Sequence, residues 1–187
     1  MTKPQLSIKD VDFMFENMTV KVIANRDSPE IVLAGLKVGP LSEGEEYEVK
    51  FWVAKELRKA GLVRFREEDI LDAVKLHKIH WKERVQSARQ ISLLPQDFFP
   101  KLRRYLAETK AKAVNNIEKM REYEKIVRVS HDIVNCRLRK IVSLASAPAQ
   151  TNQVLANLTP EERILYDRLY ALINEWRTRI LRVGAEL

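Results

Sequence analysis

The sequence predicts an α+β protein: a small N-terminal β-rich domain followed by a larger α-helical bundle. Two observations carry this. The apolar residues change period near residue 65, from short, partly alternating runs bounded by Gly and Pro to recurrences every three or four residues. The charge changes with the period. Residues 1–54 hold 6 Lys/Arg against 9 Asp/Glu, and residues 55–140 hold 22 against 12. The expected domains are therefore 1–65 and 66–187.

The first domain is read from its branched residues and turns. Val20 to Ala24 is a strand, and Asn25 to Pro29 is a turn. Glu30 to Leu36 is a second strand. Gly39-Pro40 and Ser42-Glu-Gly44 are further turns, and Tyr47 to Val53 is a third strand. Trp52 to Ala60 reads as a short helix with Val53 and Leu57 inward, closed by Gly61. Leu62 to Phe65 is a last strand. A unit this small lies near the lower limit for folding alone, so it is expected to lean on a neighbour.

The helical half begins with Ile70, Val74, His77, Trp81 and Val85. Their spacings of 4, 3, 4 and 4 predict one inward helix face, with Glu67, Glu68 and Asp69 in its first turn. Leu94-Pro95 is expected to open the next helix, with Phe98, Leu102 and Tyr105 or Leu106 on its apolar face. A long helix follows over about Asn115 to Leu144. Its stripe is Met120, Tyr123, Val127, Val134, Leu138 and Ile141, close to the spacing of a bundle seam. At 1.5 Å per residue it would run about 45 Å, which predicts packing against another chain. Residues 145–153 read as a loop. Thr159-Pro160-Glu161-Glu162 then starts the last helix as a capping box, and Leu165, Leu169, Leu172, Trp176 and Ile180 form its stripe.

Composition narrows the function. Apolar residues at 45% and charged residues at 32% exclude a disordered chain. One cysteine, Cys136, cannot form an internal disulfide, which suits a reducing compartment. No apolar run approaches the about 20 residues of a membrane span, and no secretory signal is expected at the N-terminus. The net charge is +7, concentrated between Lys75 and Lys112 with 10 basic and 3 acidic residues. Such a region attracts phosphate. Lys101, Arg103, Arg104, Lys110 and Lys112 are the candidate nucleic-acid contacts, and a solvated helix face is the plainer explanation of the same residues.

Catalytic chemistry finds little support. His77 and His80, at i and i+3, could share a metal, but no third ligand lies near in sequence, so no metal site is expected. Cys136 falls mid-helix beside no obvious base. There is no Gly-rich phosphate loop and no nucleophile elbow. Neither an enzyme nor a cofactor is expected.

Several stretches together resemble subunits of the GINS complex, a replication factor that joins the replicative helicase. In the first domain they are Gly39-Pro-Leu, Glu43-Gly44 and Phe51-Trp-Val-Ala-Lys-Glu-Leu57 with Gly61. In the second they are Leu94-Pro-Gln-Asp-Phe-Phe99, Leu102-Arg-Arg-Tyr-Leu106, Arg137-Leu-Arg-Lys-Ile141 and Leu158-Thr-Pro-Glu-Glu-Arg-Ile-Leu-Tyr166. The similarity covers about residues 18 to 183. The domain order resembles the class whose β-rich B domain precedes the helical A domain, and the short chain points to an archaeal source.

The resemblance implies a non-catalytic scaffold. The implied partners are an A-first GINS subunit in a tetramer of two copies each, the MCM helicase, a RecJ-like protein, and primase or polymerase, with weak DNA contact at most. The implied location is the nucleoid-associated cytoplasm of an archaeon, or the nucleus of a eukaryote. Phe98, Phe99, Leu102 and Tyr105 would lie in the A-domain core or a subunit interface, as would Val127, Val134 and Leu138 on the long helix and Leu165, Leu169 and Trp176 on the last. Trp52 and Leu57 would anchor the B-domain core.

Overall fold

The computed structural model describes residues 6–85, 90–147 and 152–181. The chain divides into two compact units, Lys9–Leu71 and Asp72–Leu187, with the described residues before Lys9 grouped with the second.

In the first unit, strand β1 (Thr19–Ala24) is central. It pairs antiparallel with β4 (Glu46–Lys50) on one side and β5 (Val63–Phe65) on the other. Helix α2 (Phe51–Lys59) packs on this sheet through Val53, Ala54 and Leu57, which join Val22, Ala24, Leu41, Val49 and Val63 in one core. Leu57 is therefore in the core, while Trp52 is half-buried against it. Gly61 takes φ +73°, the left-handed conformation expected after a helix end.

Three readings of this unit need correction. The strand expected over Glu30–Leu36 is a hairpin of β2 (Ile31–Leu33) and β3 (Leu36–Val38). Its two-residue turn, Ala34-Gly35, has φ of 48° and 83°, the positive pair that a tight hairpin of this twist requires. The third strand stops at Lys50, and Phe51 already belongs to α2. A helix that the turn-and-strand reading passed over, α1 (Ile8–Glu16), buries Val11 and Phe15. Phe15 meets the ring of Phe51 at 4.8 Å, and Phe51 stacks on Phe65 at 5.4 Å.

The second unit is helical: α3 (Ala73–Val85), α4 (Phe98–Ala113), α5 (Ile117–Ser146), the short α6 (Asn152–Leu155) and α7 (Pro160–Leu181). α3, α4 and α7 all pack on α5. Glu67–Asp69 form a separate 3-10 turn rather than the first turn of α3. Asp72 takes the capping position, its Oδ1 accepting from the Lys75 N–H at 2.7 Å. Pro95 lies ahead of α4, which begins at Phe98. Pro100 sits in the first turn, where a missing N–H costs nothing. The segment read as a loop over 145–153 holds the end of α5 and the start of α6, and its residues 148–151 lie outside the described residues.

The α3 stripe keeps its period and misses its phase, while the α5 stripe is split: Ile141 is buried, and Met120 and Tyr123 are half-buried. On α5 the buried residues are Ile126, Ser130, Ile133, Arg137, Lys140, Ile141, Leu144 and Ala145. Val134 and Leu138 are exposed, so neither is core, and Val127 is half-buried. On α3 the buried residues are Leu76 and Glu83, while Val74, His77, Trp81 and Val85 face outward. The inward face expected from apolar spacing is thus the outer one.

Candidate subunit interface

The core-facing sides of α3, α5 and α7 meet at Arg137, one of the most deeply buried side chains in the chain. Its Nε donates to Glu162 Oε1 at 2.7 Å and one terminal nitrogen donates to Glu162 Oε2 at 2.5 Å. The other terminal nitrogen reaches Glu83 Oε1 at 3.0 Å and the Ser92 carbonyl at 2.6 Å. Lys140 Nζ donates to Glu83 Oε2 at 2.7 Å and to the Glu83 carbonyl at 3.0 Å, and the Ser92 hydroxyl donates to Glu83 Oε1. Two cations and two carboxylates therefore neutralise one another in a buried junction, with most polar atoms paired. Burial pushes the Glu83 carboxyl up. The hydrogen bonds from Lys140 and Ser92, with the charges of Arg137 and Lys140, outweigh it and hold the group below the ordinary glutamate value. Burial likewise lowers Arg137, and its bonds and charge contacts with Glu162 and Glu83 more than reverse that.

Glu162 has a second duty. The Thr159 N–H donates to Glu162 Oε2 at 3.0 Å, and the Glu162 N–H donates back to Thr159 Oγ1 at 3.4 Å. This is the capping box read from the sequence. It ties the start of α7 to the same carboxylate that holds Arg137. Asn157 donates to the Ile91 carbonyl at 3.1 Å, and Gln96 to the Leu158 carbonyl at 3.4 Å, so the segment before α4 is fixed to the turn before α7.

Away from the junction the balance inverts. Arg137 meets Glu162, and further along both helices Arg177 donates to the carbonyl of Ser146 at 2.6 Å, so α5 and α7 run in the same direction. Ser146 is the last residue of α5. Leu165 and Leu169 are half-buried against Ile141, Leu144, Ala145 and Tyr166. The same stripe continues as Leu172, Trp176 and Ile180, each about 60% exposed. Trp176 is not core. On α5, Val134, Leu138 and Val142 form a parallel exposed ridge. On α4, Phe98 and Leu102 are buried and Phe99 and Tyr105 half-buried. Phe98 and Phe99 meet edge to face at 5.2 Å.

The five candidate phosphate contacts do not form one patch. At 100° per residue, Lys101 and Lys112 lie on one side of α4 and Arg103 and Lys110 on the opposite side. Lys101 is paired with Asp97 at 2.8 Å and Arg103 with Glu161 at 3.3 Å, and Arg104 is half-buried. Lys110 and Lys112 are exposed. His77 is exposed, and His80 Nε2 lies 3.5 Å from Asp132 Oδ2. Among the described residues no three His, Cys, Asp or Glu side chains gather as a metal site, and no helix is long and apolar enough to cross a membrane.

The second unit is thus a helical bundle held by a buried charge cluster, with apolar residues exposed on α3, α5 and α7. Residues 70–181 match the GINS complex protein helical bundle domain (Sld5), and the chain belongs to that family. Residues 7–64 match the PSF2 N-terminal domain. The chain is 27% identical over 150 residues to the DNA replication complex GINS protein PSF2 of Homo sapiens, covering 80% of this chain and 78% of that protein. It is 25% identical over 154 residues to the protein of the same name in Xenopus laevis, covering 82% and 80%.

Proposed function

We propose that this chain is the PSF2-type subunit of a DNA replication complex and acts as a non-catalytic scaffold. The observation that carries this is the α7 stripe. It begins inside the chain's own core at Leu165 and Leu169 and continues as Leu172, Trp176 and Ile180, which stay exposed among the described residues. An apolar seam of that kind is covered in a functioning protein, and here the occupants are other GINS subunits. The ridge of Val134, Leu138 and Val142 belongs to the same contact.

The order of the two units, β-containing then helical, supports membership of the B-first class. The named relatives are vertebrate proteins. This favours a tetramer of four different subunits and a nuclear location over an archaeal source with two copies of each chain. The MCM helicase, a RecJ-like protein and primase or polymerase are the outer partners implied by the family resemblance. Any direct DNA contact falls to Lys110 and Lys112, which are exposed, and is weak.

The test is mass by light scattering, first of the chain alone and then with GINS subunits of the same organism. A stable complex of about four chains supports the reading. A well-behaved monomer that ignores those subunits overturns it. Leu172→Asp with Trp176→Ala should abolish assembly while leaving the helical content unchanged.

A further inference from the structure

The bundle side of α3 is taken by Leu76 and Glu83, and its opposite side carries Val74, Trp81 and Val85. At 100° per residue these three fall within about 40° of one another. Each exposes roughly two-thirds of its surface (64%, 68% and 65%). Ala73 and His77 extend the same shallow apolar strip. Lys78 and Lys82 edge it on one side and Arg84 on the other. No ion pair joins Lys78, Lys82 or Arg84 to any described residue. The single acidic residue of α3, Glu83, is buried and paired. Between Ala73 and Val85 the exposed surface therefore presents cations and apolar groups, with carboxylates only at its edges, Asp72 at the cap and Asp132 beside His80.

We propose that the outer face of α3 docks an acidic amphipathic helix of a protein partner, which lays apolar side chains on Val74, Trp81 and Val85 and carboxylates beside Lys78, Lys82 and Arg84. Spacings of seven and four are the seam of one helix packing on another. Cations on both flanks select the charge of the partner and speed its approach. A single-stranded nucleic acid fits this face poorly. Such strands stack on several aromatic rings in succession, and here one tryptophan stands between two valines. A second copy of the same face would bring like charges together. The face lies on a different helix from the α7 stripe, so the two can be tested by separate substitutions.

The probe is a fluorescently labelled 18-residue helical peptide with Leu at seam positions and Glu at flanking positions. It is titrated into the complex containing the full chain. Saturable binding that weakens as salt rises is expected. Trp81→Ala and, separately, Lys78→Glu with Lys82→Glu should each weaken it at least tenfold. A peptide with Lys in place of Glu should not bind. These residues are exposed, so the variants should melt as the parent does. Absence of peptide binding, or binding indifferent to Trp81, overturns the proposal. So does preferential binding of a labelled single-stranded oligonucleotide that Trp81→Ala removes. If either α3 variant prevents the complex from assembling, the face is a subunit contact: this proposal then fails while the scaffold reading stands.

Discussion

Arg137 and Trp176 occupy places opposite to those their side chains usually take. The arginine is 1% exposed at the junction of α3, α5 and α7, and the tryptophan is 60% exposed toward the end of α7. Burial of a guanidinium is tolerated because Glu83 and Glu162 meet it from two other helices. Under the scaffold reading proposed above, the cost of exposing an indole falls on the lone chain and is removed on assembly. The junction is thus internal architecture, and the apolar stripe is the proposed contact with other subunits. The two regions should respond to substitution in opposite ways, the first in the stability of the chain and the second in its association.

The largest expected effect is at the junction. Arg137→Met removes the partner of two buried carboxylates. Breaking a buried pair in this manner costs about 3–5 kcal/mol. Urea denaturation of the assembled protein should show that loss, and adding Glu162→Gln should recover part of it. If Arg137→Met leaves the midpoint unchanged, the junction is not what holds α3, α5 and α7 together.

Acid should find the same place. Glu83 is held below the ordinary glutamate value of about 4.3. A depressed carboxylate contributes stability that is fully present above its unfolded value and is lost as pH falls through its folded value. The unfolding midpoint should therefore drop on acidification below about pH 4.3. In Glu83→Gln that part of the acid limb should be flatter, with lower stability at neutral pH. An acid limb identical to the parent's would assign the loss to other carboxylates.

The seam should behave otherwise. Trp176→Ala should change the stability of the chain by no more than about 0.5 kcal/mol, as surface substitutions do. Its effect on association should be that of an interface anchor, about 2 kcal/mol or more in the dissociation constant. A stability loss without an association loss would place Trp176 in the chain's own packing and break the comparison.

The same contrast explains what was legible in the sequence. The change of period near residue 65, the capping box at Thr159 and the half-buried start of the α7 stripe could be read directly, because each is a local signal. Most of the inward face of α5 could not, Ile141 apart. Hydrophobic spacing discards Arg137 and Lys140 as surface residues, so it selects Val134 and Leu138, on a neighbouring face of the helix. Only Glu83 and Glu162, distant in sequence, make those cations inward residues. On α3 the spacing found a genuine apolar stripe and assigned it to the wrong side. Periodicity reports an apolar face, without saying what it faces.

A last comparison isolates burial from charge. Arg163, one turn into α7, pairs with Asp167 at 2.9 Å, and both side chains are about half exposed. Its hydrogen-bond length is close to that of the Arg137–Glu162 contact at 2.7 Å. An exposed i,i+4 pair is worth only about 0.3–0.5 kcal/mol, because water and salt screen it and two long side chains lose freedom in forming it. Arg163→Ala should therefore be nearly silent in denaturation and more so at high salt, where Arg137→Met should remain severe. Equal losses from the two substitutions would mean that the junction is wet, and that its arginine is held no more firmly than one at the surface.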